Sequence, residues 1–492
     1  MPRHMTEQDQ THMGTSRHRT LPHARRFAML SAATITGLTL ALGTVSAPAQ
    51  AQSLVPQIED EAKSMIEDRQ AEDSDSLNRS NVPESVSVED AKAAVDKSDE
   101  ISTADVEYAA ALEDLPDSGV PEDFYQTPDQ LPEENGGVVK QTPSKFYVDP
   151  IKLIEHNAKS TTYMYKTTDE KGTARAATAT LLTPEGAEGD AKDAVVISPG
   201  TQGIADKCAP SRQMAMGTEY EGISVTSALA AKRPVLVVDY VGLGTEGAHS
   251  YLNRVEEGRS VLDAAKAVQN VEGSTINEDT KLQLRGYSQG GHATTAALEL
   301  ADDWAPDLSL ASASAGAVPT DLYKTVSGLS SMQTGLLLYG VSSFADQADV
   351  DLTEFLNQEG LDRVESASNQ CTIEAVLSNA FLDTSTLTKD GSSFQDLVQE
   401  KFMDVADKQR LGDAEIPDIP VLANHSRLDD VVPFELGKEL ASKWCDAGHK
   451  VAFEGNLGPT HIGGYIASLP RVELFTNRTF DGKAPVDSCW RL

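Results

Sequence analysis

Ser288 is the residue around which a reaction can be built. It stands in Gly286-Tyr287-Ser288-Gln289-Gly290, preceded by the apolar Leu282 and Leu284 and followed by the small-residue run 291–298. Strand, G-x-S-x-G turn and helix, in that order, are the context of a nucleophile elbow. A turn that sharp brings its flanks into collision. Glycine at 286 and 290 relieves the crowding and leaves the Ser288 hydroxyl exposed above a sheet. The following helix directs its positive end at the same point.

A serine hydroxyl needs a base, and the base needs an acid to orient it. Both are expected downstream, acid first and histidine second. His292 sits one turn into the elbow helix and is expected to point away, His425 precedes the acid, and His449 opens a strand. His461 follows the last strand in Gly458-Pro459-Thr460-His461-Ile462-Gly463-Gly464, a stretch expected to be a loop able to aim an imidazole. Asp429, in Asp429-Asp430-Val431-Val432-Pro433, is the expected acid, with Asp430 a solvated or loop-bracing neighbour. A tetrahedral oxyanion would be held by the N–H of Gln289 and by one from Ser198-Pro199-Gly200-Thr201-Gln202-Gly203, Thr201 first and Gln202 as the alternative. Nothing in the pattern asks for a metal, nucleotide or flavin, so no cofactor is expected.

These groups must be held by a framework. The stretches 161–168 and 174–183 alternate around Asp169-Glu170-Lys171-Gly172 and read as a hairpin. Stretches 194–198 and 235–239 are nearly continuous apolar runs, as buried parallel strands require. A helix over 258–269 precedes the strand at Leu282, and later strands are expected at 308–313, 420–424 and 450–454. Strand and helix alternate, which predicts an α/β fold with a mostly parallel central sheet covered on both faces. Between about 320 and 417 the alternation stops. That stretch is expected to be an inserted helical cap, with Met332, Leu336, Leu337, Leu338 and Tyr339 lining an acyl pocket or packing the cap's own core.

Upstream lies a different kind of chain. Arg17, Arg19, Arg25 and Arg26 precede an apolar run over 27–45 and Ala47-Pro48-Ala49-Gln50-Ala51, so residues 1–51 read as an export signal cleaved after Ala51, with Met13 an alternative start. The run is short for a span, so no integral membrane anchor is expected. Residues 52–121 are rich in Glu, Asp, Ser and Ala and nearly lack aromatic residues, so an acidic, disordered arm is expected before a catalytic domain at 122–492. The net charge of −35 argues against nucleic acid as a partner. Four cysteines in an exported chain imply two disulfides, and Cys208–Cys371 with Cys445–Cys489 is the favoured pairing, the second stapling the tail to the last helix.

Several of these motifs resemble one family. Pro199–Gly203 running to Cys208-Ala209-Pro210-Ser211, Val238-Asp239-Tyr240-Val241-Gly242-Leu243-Gly244-Thr245, residues 286–291 and Asp429–Pro433 are similar to those of the secretory lipases. Phe124-Tyr125 with Leu131-Pro132 resembles that family's opening segment, while Ser198-Pro199-Gly200 stands where many relatives carry His-Gly. The resemblance implies an α/β-hydrolase with a lidded acyl pocket that cleaves acyl esters, with transient lipid-surface contact through the cap. The expected protein is thus a secreted or cell-envelope serine carboxylester hydrolase. An envelope acyltransferase with the same serine chemistry and a non-catalytic binding protein on a hydrolase fold are the alternatives.

Overall fold

The computed structural model describes residues 120–148, 152, 155–187, 189–483 and 487–492. The expected export signal, and all but the last two residues of the expected acidic arm, lie outside them. Val120 is already buried with Phe124, Tyr125, Met164 and Ala176, so packing starts two residues ahead of the expected domain boundary.

Nine strands form one sheet: β1 (Val138–Ser144), β2 (Lys159–Thr168), β3 (Ala174–Thr183), β4 (Asp193–Ser198), β5 (Val235–Val241), β6 (Lys281–Tyr287), β7 (Leu310–Gly316), β8 (Val421–Ser426) and β9 (Val451–Asn456). Their order is β1-β2-β3-β5-β4-β6-β7-β8-β9. The pairings β1–β2, β2–β3 and β3–β5 are antiparallel, and every later pairing is parallel. The fold is therefore α/β, as expected.

The central strands are apolar on both faces because helices cover both. Ala194, Val196, Leu236 and Val238 pack on one side with helices α2 (Arg254–Ala267) and α3 (Gln289–Trp304). Their neighbours Val195, Ile197, Val235 and Val237 pack on the other with Val225, Ala228 and Leu229 of α1 (Gly222–Ala230). That two-sided burial explains why β4 and β5 read as continuous apolar runs. After β4 the chain moves outward to β5, then returns across β4 to β6. The loops leaving β4 and β6 diverge there, and such a reversal opens a crevice at the strand ends.

The chain from Ala317 to Pro420 holds no strand and forms the cap. Its helices are α4 (Leu322–Gly328), α5 (Thr334–Ala348), α6 (Gln358–Ser368), α7 (Thr372–Ser378), α8 (Phe394–Lys401) and α9 (Met403–Lys408). They enclose a core of their own that includes Leu337, Leu338, Tyr339, Phe344, Phe394 and Phe402. Three of the five residues offered as acyl-pocket lining thus lie in the cap core, while Leu336 is partly buried and Met332 exposed. Two further helices complete the body, α10 (Phe434–Asp446) and α11 (Thr460–Phe480). Cys208 is joined to Cys371, tying the loop after β4 to the cap. Cys445 is joined to Cys489, but Cys445 lies on α10, so the tail is held to the helix before the last.

Candidate active site

Ser288 ends β6 in a strained conformation, φ 60° and ψ −124°, and α3 begins at the next residue. Its N–H donates to Gly316 O at 3.0 Å, which anchors the turn to β7. A Cβ at Gly286 would lie 2.0 Å from Gly290 O, and one at Gly290 would lie 1.9 Å from Ser198 O. Backbone meets backbone at both points, so neither glycine can be replaced without moving the elbow. Holding a non-glycine residue at positive φ costs of order 1–3 kcal/mol, a strain that clusters at functional sites.

His461 Nδ1 lies 2.9 and 2.8 Å from the two carboxylate oxygens of Asp429. The Asp429 side chain is fully buried. Its Oδ1 also accepts the N–H groups of Val431 and Val432 at 3.0 and 2.8 Å. Burial raises its pKa, but hydrogen bonds from His425 and His461 outweigh that and hold the carboxyl well below the usual range. His425 was set aside in the sequence as wrongly ordered, yet its Nε2 stands 3.4 Å from Asp429 Oδ2. The same nitrogen is closer to Val432 O, at 3.0 Å, so its proton is directed mainly there and His461 is the better-placed partner.

The sequence reading put His461 in a flexible loop. The structure instead places it at the second residue of the 21-residue helix α11, directly after Thr460 at φ 60°. Its aim is fixed on three sides. Its N–H donates to Asp430 Oδ1 at 2.8 Å, its carbonyl accepts Tyr287 Oη at 3.0 Å, and its ring lies 5.0 Å from the Tyr287 ring. Asp430 also accepts Gln333 Nε2 at 3.2 Å, linking the histidine to the cap. Nε2 of His461 is buried and has no hydrogen-bond partner among the described residues, so it is not bonded to Ser288 here. Such contacts are often long without substrate and tighten on binding. The Tyr287 contact sets the ring beside the residue that precedes Ser288.

The other predicted residues fall on either side of this pair. Gln289 opens α3, where a first-turn N–H has no acceptor within the helix. Its side-chain amide is pinned by Glu257 Oε1 at 2.8 Å and by His249 Nε2 at 2.9 Å. His292 is buried and bonded to Glu257 Oε2 at 2.7 Å, away from the elbow as expected. In the loop after β4, the Gln202 side chain is turned to Glu219 and Gln213. The Thr201 hydroxyl meets Tyr251 Oη at 3.0 Å. Among the described residues the N–H groups of Thr201 and Gln202 make no hydrogen bond, so either can face an oxyanion.

Sequence reasoning missed several buried acids, two of which, Glu219 and Glu221, stand behind this loop. Burial pushes Glu221 up to about 7, with Tyr465, Gly200 and Arg285 opposing it. Burial likewise raises Asp239 and Asp263, each to about 6, and Glu219 well above its ordinary value. A carboxyl raised on folding contributes stability that is present below its unfolded pKa and lost as pH rises through its folded one. Asp429 has the opposite sign, but its contribution is lost only well below pH 4. Buried His249, held below its ordinary pKa, works against this, but the raised carboxyls outnumber it, so the melting temperature should fall between pH 5 and pH 8, Glu221 alone contributing about 2–3 kcal/mol. A melting temperature that rises steadily over that interval would contradict this.

A serine on a β6 elbow, a histidine after β9 and an aspartate after β8 place the molecule in the α/β-hydrolase class. Within that class the chain belongs to the secretory lipase family, whose profile matches residues 209–488. It is 26% identical over 385 residues to a secreted triacylglycerol lipase of Malassezia globosa, covering 74% of this chain and 80% of the relative. A protein of Mycobacterium tuberculosis named a probable inactive lipase is 28% identical over 356 residues, covering 68% of this chain and 76% of that one. Among solved structures, Candida antarctica lipase A in its closed state matches with a TM-score of 0.64 at 24% identity, over 75% of this chain and 88% of that one.

Proposed function

We propose that the protein is a secreted serine carboxylester hydrolase that cleaves acyl esters of lipids through an acyl-enzyme. Ser288 is the nucleophile, His461 the base and Asp429 the acid. His461 Nε2 takes the Ser288 proton as Oγ attacks the ester carbonyl. The N–H of Gln289, with that of Thr201 or Gln202, holds the oxyanion. Collapse of the tetrahedral adduct expels the alcohol, which receives the proton from His461, and leaves the acyl group on Ser288. Water then repeats the sequence and releases the fatty acid.

The observation that carries this reading is the Asp429–His461 pair, whose ring keeps Nε2 unbonded and packs on Tyr287, the residue before the elbow serine. One relative bears the name of a probable inactive lipase; this chain itself carries Ser288, Asp429 and His461.

Lipid is the favoured ester because of what surrounds these residues. Leu428 and Ile462, the immediate neighbours of Asp429 and His461, are both more than half exposed. Met332, Ile373, Leu377 and Phe381 are exposed on the cap, where α7 packs on the turn holding Met332. Such apolar side chains beside a cleft suit a lipid surface. No helix among the described residues is long and apolar enough to cross a membrane, so the contact is read as peripheral. Residues 1–51 are assigned to export and 52–119 to an acidic segment ahead of the catalytic unit, which starts by Val120.

The decisive experiment is a series of p-nitrophenyl esters of increasing chain length, run with and without an alcohol acceptor. Free fatty acid should be the main product even with alcohol present. A predominance of new ester would make the protein an acyltransferase, and no turnover with any chain length would leave a binding protein.

A further inference from the structure

Three consecutive residues, Glu219, Tyr220 and Glu221, hold three consecutive residues of the loop after β4. Glu221 Oε1 accepts the Gly200 N–H at 3.2 Å, Tyr220 Oη donates to Thr201 O at 3.3 Å, and Glu219 Oε1 accepts Gln202 Nε2 at 2.9 Å. The fit is close, because a Cβ on Gly200 would lie 2.3 Å from Tyr220 Oη. Glu219 also accepts the N–H of Glu221 at 3.0 Å, so the brace is itself cross-linked.

Glu221 reaches further. Its Oε2 accepts Tyr465 Oη at 2.6 Å, and Tyr465 stands on α11, one turn beyond His461. The Tyr465 ring lies 5.3 Å from that of Tyr287, which in turn holds His461. One carboxylate thus touches the oxyanion loop directly and, through two tyrosines, the nucleophile elbow and the histidine helix.

Glu221 is only 2% exposed, and burying a carboxyl is costly unless its acceptor sites are filled. Both oxygens are filled here, each by a donor from a different part of the site. The bonds also have a directional consequence. With Gly200 N–H committed to Glu221 and Pro199 O accepting Tyr240 Oη at 2.8 Å, the 199–200 peptide is held at both ends. Thr201 O is held by Tyr220 and by Thr372 Oγ1 at 2.8 Å. In a trans peptide the N–H opposes the C=O, so fixing Thr201 O aims the Gln202 N–H the opposite way.

We propose that Glu221 is a positioning residue for ester hydrolysis, holding the oxyanion loop in register with the helix that carries His461. This rests on the reading of Ser288, His461 and the loop given above. Its effect should fall on the tetrahedral state and leave substrate binding alone, because the loop's N–H donors act most strongly when charge develops.

The test replaces Glu221→Gln: with the amide oxygen on Gly200 N–H its NH₂ faces Tyr465 Oη, which must turn from donor to acceptor and leaves its own buried proton without the carboxylate. On a soluble p-nitrophenyl ester, kcat per folded molecule should drop roughly 10–100-fold with KM within about threefold. Affinity for an alkyl boronic acid, which forms a tetrahedral adduct, should weaken in parallel. Should that variant fail to fold, Tyr465→Phe removes one donor only and should lower kcat about 3–10-fold. A kcat per folded molecule within threefold of the parent in whichever variant folds, whatever the melting temperature does, overturns the proposal. Ser288→Ala runs alongside: if it still turns over, the site reading fails, whereas a dead Ser288→Ala with an undiminished Glu221→Gln removes this inference alone.

Discussion

Ser288→Ala is expected to abolish hydrolysis of a short p-nitrophenyl ester and labelling by a fluorophosphonate, with the melting temperature nearly unchanged. The anchors of the elbow are backbone ones. The Ser288 N–H to Gly316 O bond and the close glycine contacts at 286 and 290 survive removal of a hydroxyl. Alanine carries the same penalty at φ 60° as serine, so the turn keeps its strain and its shape. The chemistry does not survive, because the hydroxyl proposed to take the acyl group is gone. What can remain is the contribution of the oxyanion donors and of binding, roughly 10³–10⁴ over water. Turnover above that level in a folded variant would show that another residue is the nucleophile.

Asp429→Asn should lower kcat by roughly 10²–10⁴, whereas Asp430→Asn should change it less than about tenfold. The hydrogen bonds separate the two. Oδ1 of Asp429 is held by the N–H groups of Val431 and Val432, so an asparagine keeps its oxygen there and turns its NH₂ to the Oδ2 position. That position is 2.8 Å from His461 Nδ1. Facing a donor, Nδ1 must accept, and the ring proton moves to Nε2, where the base function is lost. Asp430 also touches His461, but through the backbone N–H. Asparagine retains an acceptor oxygen for that N–H, so the helix start stays in place, while its NH₂ replaces the oxygen that accepted Gln333 and only that contact is lost. Comparing kcat at equal folded fraction decides the matter. If Asp430→Asn proves the more damaging, the acid has been assigned to the wrong carboxylate.

What could be read from sequence was what repeats a simple rule. Strands β4 and β5 are buried on both faces and so are apolar throughout, and the β2–β3 hairpin alternates around its turn. The contact of Asp429 with His461 follows from chain order and from loops at adjacent strand ends. Strand β1 escaped notice because it is an edge strand carrying Pro143, where a missing N–H costs nothing. The sequence places β7 two residues early because, after Leu310, the strand is only Ala, Ser and Gly. Its side chains are small where it passes between packed helices, so it shows no apolar signature. His461 was expected in a loop because glycines and a proline surround it, whereas helix α11 simply begins among them. Glu219 and Glu221 were invisible for a different reason. On an acidic chain a glutamate reads as surface, and nothing local announces that two of them are buried against a loop near residue 200.

The bond between Cys208 and Cys371 sets a condition on when the molecule matures. Its partners stand 163 residues apart in sequence, yet they bring the first residues of α7 onto the loop after β4. There the backbone of Gly203 bridges to Cys371, and Thr372 donates to the carbonyls of Thr201 and Gln202. Before oxidation α7 is tied to that loop by those hydrogen bonds and by the Lys207–Glu374 ion pair. Closing so long a loop removes about 5 kcal/mol of denatured-state entropy in the chain model. A newly made chain with reduced thiols would therefore carry Ser288, Asp429 and His461 together with a loosely seated α7. Only after the thiols meet an oxidant would α7 be fixed against the loop that carries Thr201 and Gln202, so the proposed oxyanion donors would reach their final setting late in maturation.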